Sequence, residues 1–422
     1  MKIDPDYPSL YLSAREAAAE LGVSPATLYA YVSRGMIRSE AVGNTRARRY
    51  RAEDVRGLKN RRAPAGAELA LATEPPVLDS AVSCLSEEGP IYRGVLAVEL
   101  AAYATLEEVA TLLWDENASD PFAPQNLPIA SVAMDEVRVA TRAQPPLVRA
   151  IAQLALASEV DLAAYNRSRE GRARLGARLL RLLTSAVLDC PPSATAIHQQ
   201  LAAAWAPGHR AAAELLRRAL VLLADHELNP STWTVRCAVS TGINLYDAVV
   251  AGLIALKGPR HGGAGILAAR MLEQLAHSEV SHFVRDRVAM GEAIPGFGHS
   301  VYRRGDARAR DLLSALARAG ADPRLVVDAP ARISDATGLY PNIDFALAVL
   351  MHSLGLEAGH ETVLFAVARS CGWIAHAIEQ LESGILIRPR ARYVGPAPGV
   401  SRRYTPVSRI SRSSSSRVVC TW

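Results

Sequence analysis

Three histidines and one aspartate stand where the chain changes direction, each beside glycine or proline and next to a strongly helical run. His261 lies in Gly258-Pro-Arg-His-Gly-Gly-Ala-Gly265, His299 in Ile294-Pro-Gly-Phe-Gly-His-Ser-Val-Tyr302, Asp344 in Pro341-Asn-Ile-Asp-Phe345 and His226 in Asp225-His-Glu-Leu-Asn-Pro-Ser-Thr232. Such groups suit proton transfer: glycine and proline let the backbone turn sharply and approach a ligand. A following helix aims its free N–H groups at developing negative charge. A histidine ahead of a helix has its cationic form disfavoured, so His261 is expected to stay neutral and donate a hydrogen bond to a carbonyl. In the first turn after Asn342, the helix dipole is expected to favour the carboxylate of Asp344. Taken singly, each is equally readable as a cap or turn residue, and His226 as a helix-end histidine bonded to a backbone carbonyl.

The elements that must hold these groups are helices. From Thr105 onward nearly every segment is rich in Ala, Leu and Arg with a period of 3.6, as in 147–156, 175–188, 211–223 and 266–275. In the last of these, Leu267, Met271 and Leu275 are expected on one buried face. Asp344 opens a helix expected to bury Leu347, Leu350, Met351 and Leu354. The segments near Val77 and Gly89–Val95 suggest a minor hairpin; otherwise the body is expected to be all-α, with fifteen or more helices. At 422 residues and 50% hydrophobic, the chain is large enough for a subdivided globular body. It has no transmembrane-length apolar run and no secretion signal, which predicts a soluble, cytoplasmic protein with no membrane partner. Five scattered cysteines, none in Cys-x-x-Cys spacing, argue against a disulfide framework or a metal site.

The net charge of +5 is uneven. Residues 1–62 hold 12 Lys/Arg against 7 Asp/Glu and residues 396–422 hold 5 against none, leaving a mildly acidic body. In the first 62 residues Ser13-Ala-Arg-Glu16 is a capping box, and Ser24-Pro25 caps a second helix, the outline of a helix-turn-helix. Gly43-Asn44 and Arg46-Ala-Arg-Arg-Tyr-Arg51 then suggest a hairpin wing. This stretch resembles the winged helix-turn-helix of MerR-type regulators. The resemblance places Thr27, Tyr29 and Arg34 toward a DNA groove and Arg46, Arg48, Arg49 and Arg51 on phosphates. The alternative is a basic domain that contacts another protein or the body. Residues 63–76 read as a linker, and 396–422 as a Ser/Arg-rich disordered tail.

Between them, residues 77–395 resemble the citrate synthase family. The resemblance runs through the four motifs above, the one with His261 extended back to Leu256, and continues in Leu364-Phe-Ala-Val-Ala-Arg369 and Ile387-Arg-Pro-Arg390. It implies a large helical domain with a small one inserted at about 263–365, and condensation of acetyl-CoA with oxaloacetate. Asp344 would be the base, His261 the donor to the thioester carbonyl and His299 the donor to the keto group. Arg308, Arg369 and Arg388 would clamp the dicarboxylate with His226, Arg388 reaching across a homodimer. Pro295, Gly296, Phe297, Gly298, Arg303 and Arg304 would cradle CoA, which enters as substrate, with no separate cofactor. A carboxylate of pKa roughly 4 is a weak base for a carbon acid, so a neutral histidine must stabilise the carbonyl oxygen at the same moment. Two departures bear on substrate choice: Gly265 stands where many relatives have Asn, and Ala307 where Asp-Pro-Arg is usual, which is expected to loosen the turn that aims Arg308. The remaining alternatives are 2-methylcitrate formation from propionyl-CoA and a regulator whose body senses an acyl-CoA or dicarboxylate.

Overall fold

The computed structural model describes residues 11–21, 23–33, 37–41, 48–52, 54–55 and 78–389, except 118, 129–130, 278 and 291. The expectations for Arg34, Gly43-Asn44, Arg46, the 63–76 linker, Arg390 and the 396–422 tail lie outside the described residues. Two compact units part between Asp79 and Ser80.

In the first unit the capping box forms as expected: the Ser13 N–H donates to Glu16 Oε2 at 2.8 Å and the Glu16 N–H to Ser13 Oγ at 3.3 Å. It starts helix Ala14–Leu21, and Ser24 Oγ accepts from the Thr27 N–H at the start of Pro25–Ser33. The sheet is larger than a wing. Strand Arg48–Arg51 lies between Tyr11–Ser13 and Ser39–Ala41, antiparallel to both, with Tyr50 opposite Leu12 and Ser39. Leu12, Ala17, Leu28, Ile37, Tyr50 and Val55 form its core.

Among its described residues the second unit is helical apart from one three-stranded antiparallel sheet, Ser83–Ser86, Gly89–Tyr92 and Val95–Leu96. Its tight second turn places Arg93 and Gly94 in the left-handed region, the geometry two-residue hairpins favour. The Tyr92 hydroxyl donates within the group of carbonyls Val221, Leu222 and Asp225, fixing the end of helix Ala212–Leu223. At the centre runs helix His360–Ser383, buried nearly all round. It packs on Arg169–Leu188, Ala212–Leu223, Pro230–Val239 and Leu245–Leu256. Gly252 permits a close crossing, since a Cβ there would lie 2.7 Å from the Trp373 ring.

Helix Ile343–Ser353 buries Leu347, Leu350, Met351 and Leu354 as expected and packs on Gly263–His277 and Ala307–Arg318. One helical face was misjudged. Leu267 is half exposed, and the buried stripe of Gly263–His277 is Ala268, Met271, Leu272 and Leu275.

Candidate active site

Four connections converge on one cleft of about 490 Å³ lined by His226, His261, His299, Asp344, Arg308 and Arg369. Asn229 caps helix Pro230–Val239 and Asn342 caps Ile343–Ser353, so the segments carrying His226 and Asp344 end in fixed turns. Asp225 holds the first of these. Its Oδ2 accepts from the Ser83 hydroxyl, from the Glu227 N–H at 3.2 Å and, at 3.3 Å, meets His376 Nε2. Glu227 is thereby kept in the left-handed conformation that turns His226 toward the cleft. His226 Nε2 shares a 2.9 Å hydrogen bond with the Tyr302 hydroxyl. Burial, then Arg308 and Arg369, drives its pKa far down, so the ring is neutral.

His261 sits two residues before helix Gly263–His277, and its Nε2 lies 2.8 Å from Ser231 Oγ. Trp373 Nε1–H donates to that oxygen at 3.1 Å, leaving its hydroxyl proton for His261 Nε2 or Asn229 Oδ1. The Asn229 oxygen already accepts two backbone N–H groups, which fill its lone pairs. Nε2 is therefore the acceptor with capacity left, and Nδ1 carries the proton. Burial and then Arg369 lower its pKa to about 4. The ring is neutral as expected, and burial is the main cause, in place of the helix dipole invoked from the sequence.

His299 shows the opposite tautomer. Its Nδ1 accepts from the N–H groups of Val301 at 3.1 Å and Tyr302 at 3.4 Å, so Nε2 holds the proton. Burial and then Arg308 lower its pKa. Two neutral imidazoles thus each keep one N–H donor unused among the described residues.

Asp344 corrects the sequence expectation more sharply. Its pKa is pushed up to about 6, because burial outweighs the neighbouring Arg308 and the helix start. Among the described residues no donor reaches its carboxylate.

Arg308 is not loosened by Ala307. Asp306 caps its helix and takes Arg308 Nε at 3.0 Å and Nη2 at 2.8 Å, while its Oδ2 also accepts the Ile343 N–H at 3.0 Å. One buried carboxylate therefore fixes both the arginine and the turn carrying Asp344, a hub that sequence reasoning missed. Arg369 donates through Nε to the Leu223 carbonyl at 2.8 Å and lies 4.5 Å over the Phe365 ring. Its pKa falls to about 10 through burial, which leaves it cationic at neutral pH. Both forks present a planar cationic edge to the cleft.

The remaining expected site residues are elsewhere. Arg388 is exposed and does not line this cleft. Neither do Pro295, Gly296, Phe297 and Gly298, whose loop is spent internally. The Gly296 carbonyl accepts from the Asn342 N–H at 2.8 Å and the Gly298 carbonyl from Asn342 Nδ2 at 3.0 Å. Gly296 has φ +80°, and a Cβ there would lie 2.8 Å from Phe345 Cβ. The loop therefore braces the cap of the Asp344 helix. Arg303 and Arg304 are exposed, Arg304 3.8 Å from Glu87.

In the first unit Tyr29 is half exposed, while Thr27 Oγ1 bonds Ser24 Oγ at 2.9 Å. Two wing arginines already have partners: Arg48 donates to Ser39, and Arg49 pairs with Glu40 at 2.9 Å and lies over Tyr11. Arg51 is half-buried on the same strand. No group of His, Cys, Asp and Glu suited to a metal ion occurs among the described residues, and none of their helices is long and apolar enough to cross a membrane.

Comparison with known proteins agrees with this geometry. Residues 12–63 match the MerR HTH family regulatory protein description and residues 72–390 the citrate synthase C-terminal domain. Citrate synthase 2 of Bacillus subtilis is 40% identical over 190 residues, 43% of this chain and 51% of the relative. The chain thus spans about half the length of the first curated relatives it matches. A 2-methylcitrate synthase of Mycobacterium tuberculosis is 30% identical over 338 residues, 72% of this chain and 84% of the relative. The crystal structure of the Thermotoga maritima citrate synthase matches with TM-score 0.65 and 28% identity over 79% of this chain and 97% of its own. The Thermoplasma acidophilum citrate synthase, solved with carboxymethyl coenzyme A and oxaloacetate, matches with TM-score 0.65 and 25% identity over 82% and 99%. With motifs, fold and these matches in agreement, the chain belongs to the citrate synthase family and carries a MerR-like helix-turn-helix segment ahead of the synthase region.

Proposed function

We propose that the protein condenses acetyl-CoA with oxaloacetate to give citrate and free CoA. The observation that carries this reading is one cleft that brings together two imidazoles, a carboxylate that no donor among the described residues reaches, and two buried arginines. Arg308 and Arg369 bind the two carboxylates of oxaloacetate, with His226 beside them. Asp344 removes a proton from the acetyl methyl group while His261 Nδ1–H stabilises the forming enolate oxygen. The methyl carbon then attacks the keto carbon, and His299 Nε2–H stabilises the oxygen that becomes the citrate hydroxyl. Water hydrolyses the resulting citryl thioester and CoA leaves. A base with a pKa near 6 is ionised at neutral pH and stronger than an exposed aspartate, so less of the barrier falls on the oxyanion donors.

Arg388, exposed in its own subunit, completes the site of a second copy in a homodimer. The first unit binds DNA as a winged helix-turn-helix, with Tyr29 toward the groove; its similarity to MerR regulators and its basic strand support this. The longer match to a 2-methylcitrate synthase supports propionyl-CoA as the competing substrate. A thiol-release assay with oxaloacetate decides between them. CoA release is expected with acetyl-CoA; a larger kcat/KM with propionyl-CoA moves the assignment to methylcitrate, and no release from either overturns the enzyme reading.

A further inference from the structure

Helix His360–Ser383 presents a stripe to the cleft at every fourth position: Glu361, Phe365 and Arg369. Arg369 is the inner end, Phe365 meets the His261 ring edge-on with centroids 5.9 Å apart, and Glu361 lies about 12 Å along the axis from Arg369. On the proposed reaction, which this inference rests on, the stripe reads outward as dicarboxylate, thioester carbonyl, then the chain of CoA beyond the sulfur.

Glu361 is only 1% exposed, yet among the described residues its two oxygens share a single donor, the Gly359 N–H at 2.9 and 2.8 Å. A buried carboxylate has about four lone-pair sites, and leaving most of them empty away from water is costly. Its position also explains the departure at Gly265. A Cβ at residue 265 would lie 2.8 Å from Glu361 Cγ, so Asn at 265 and Glu361 in this place exclude one another. The missing side chain at 265 makes room for an acid at the outer part of the cleft.

We propose that Glu361 is a binding residue for the CoA arm, accepting a hydrogen bond from the amide N–H nearest the thioester, and that Gly265 is what allows it to reach there. The site then selects its substrate by a donor in the carrier as well as by the acyl group.

The test compares two small thioesters with oxaloacetate: S-acetyl-N-acetylcysteamine, which keeps that N–H, and the oxygen ester that replaces N–H by O. Wild type is expected to favour the amide by roughly tenfold or more in kcat/KM, the size of a hydrogen bond to a charged acceptor. Glu361→Ala should bring the ratio near one and raise KM for acetyl-CoA, with oxaloacetate affinity unchanged. Glu361→Gln, which keeps an acceptor, should retain part of the preference, and Gly265→Asn should lose it by displacing the acid. An unchanged ratio in Glu361→Ala, or no preference in wild type, overturns the proposal; a residue that merely starts its helix would lower Tm and leave the ratio alone. Affinity for CoA itself, read by calorimetry in wild type and Glu361→Ala, makes the same comparison without turnover. A weaker variant there upholds the proposal even if the enzyme reading fails, and equal affinities overturn it.

Discussion

Asparagine in place of Asp344 keeps the shape of the side chain and the bonds that Asn342 makes to the backbone of residues 344 and 345, but removes the charge. The native carboxyl has its pKa raised from 3.8 to about 6 by burial. Below pH 3.8 it is protonated both folded and unfolded. Between 3.8 and 6 the unfolded chain releases the proton while the folded chain keeps it, so wild-type stability falls with rising pH through this window. Above 6 the loss is complete, at most about 3 kcal/mol at ~1.4 kcal/mol per unit. Asp344→Asn has no such loss. Measured by urea unfolding, the variant should gain on wild type by about 2 kcal/mol between pH 4.5 and pH 7.5. Titrating groups remote from Asp344 act alike on both proteins and cancel in this difference. At pH 7.5 the variant should also have lost condensation by at least about a hundredfold, the lower end for removing a catalytic base. A stability difference that stays flat with pH would refute the claim that this carboxylate is buried at a cost to the fold.

Three shorter expectations follow from the same geometry. Activity itself, as kcat/KM for acetyl-CoA at saturating oxaloacetate, should rise about tenfold per pH unit below 6 and level off above it as Asp344 ionises; a profile flat down to pH 5 would contradict the raised pKa. Asp306→Asn leaves the Arg308 guanidinium buried without its counter-charge and should cost roughly 3–5 kcal/mol in unfolding experiments, with weaker oxaloacetate binding; near-native values for both would remove Asp306 as the hub. In the first unit, alanine at Arg48 and Arg51 should flatten the salt dependence of DNA binding by about 0.9 in log–log slope for each phosphate no longer neutralised, whereas Tyr29→Ala should relax sequence preference; gel shifts that select no sequence from random duplexes would exclude operator recognition.

What could be read from the sequence was local. The caps at Ser13 and Ser24 announce themselves within a few positions and formed as expected, as did the 3.6-residue periodicity apart from the Leu267 face. Strand Tyr11–Ser13 was missed because three residues carry too little alternation to distinguish a strand from a loop. The partners that give the cleft its chemistry lie far away along the chain. Ser231 is 30 residues from His261 and 142 from Trp373, and His376 is 151 from Asp225. No spacing rule reaches across such distances. The same limit explains the two electrostatic corrections. At His261 and Asp344 the nearest sequence feature was a helix start, so the dipole was the cause in view. A dipole contributes only fractions of a kcal/mol to about one kcal/mol at an exposed end, whereas burial by surrounding helices shifts a carboxyl by units of pKa.

The glycines illustrate the point most directly. Gly296 and Gly265 both look, in sequence, like residues that open the backbone to a ligand. In the fold, Gly296 is glycine because Phe345 crosses it, and the carbonyls of its loop hold Asn342, which in turn holds Asp344. Gly265 is glycine beside Glu361, a residue no motif had marked. A side chain at either position would therefore act on the site through its neighbour: at 296 by moving Asp344, at 265 by moving the second carboxylate of the cleft.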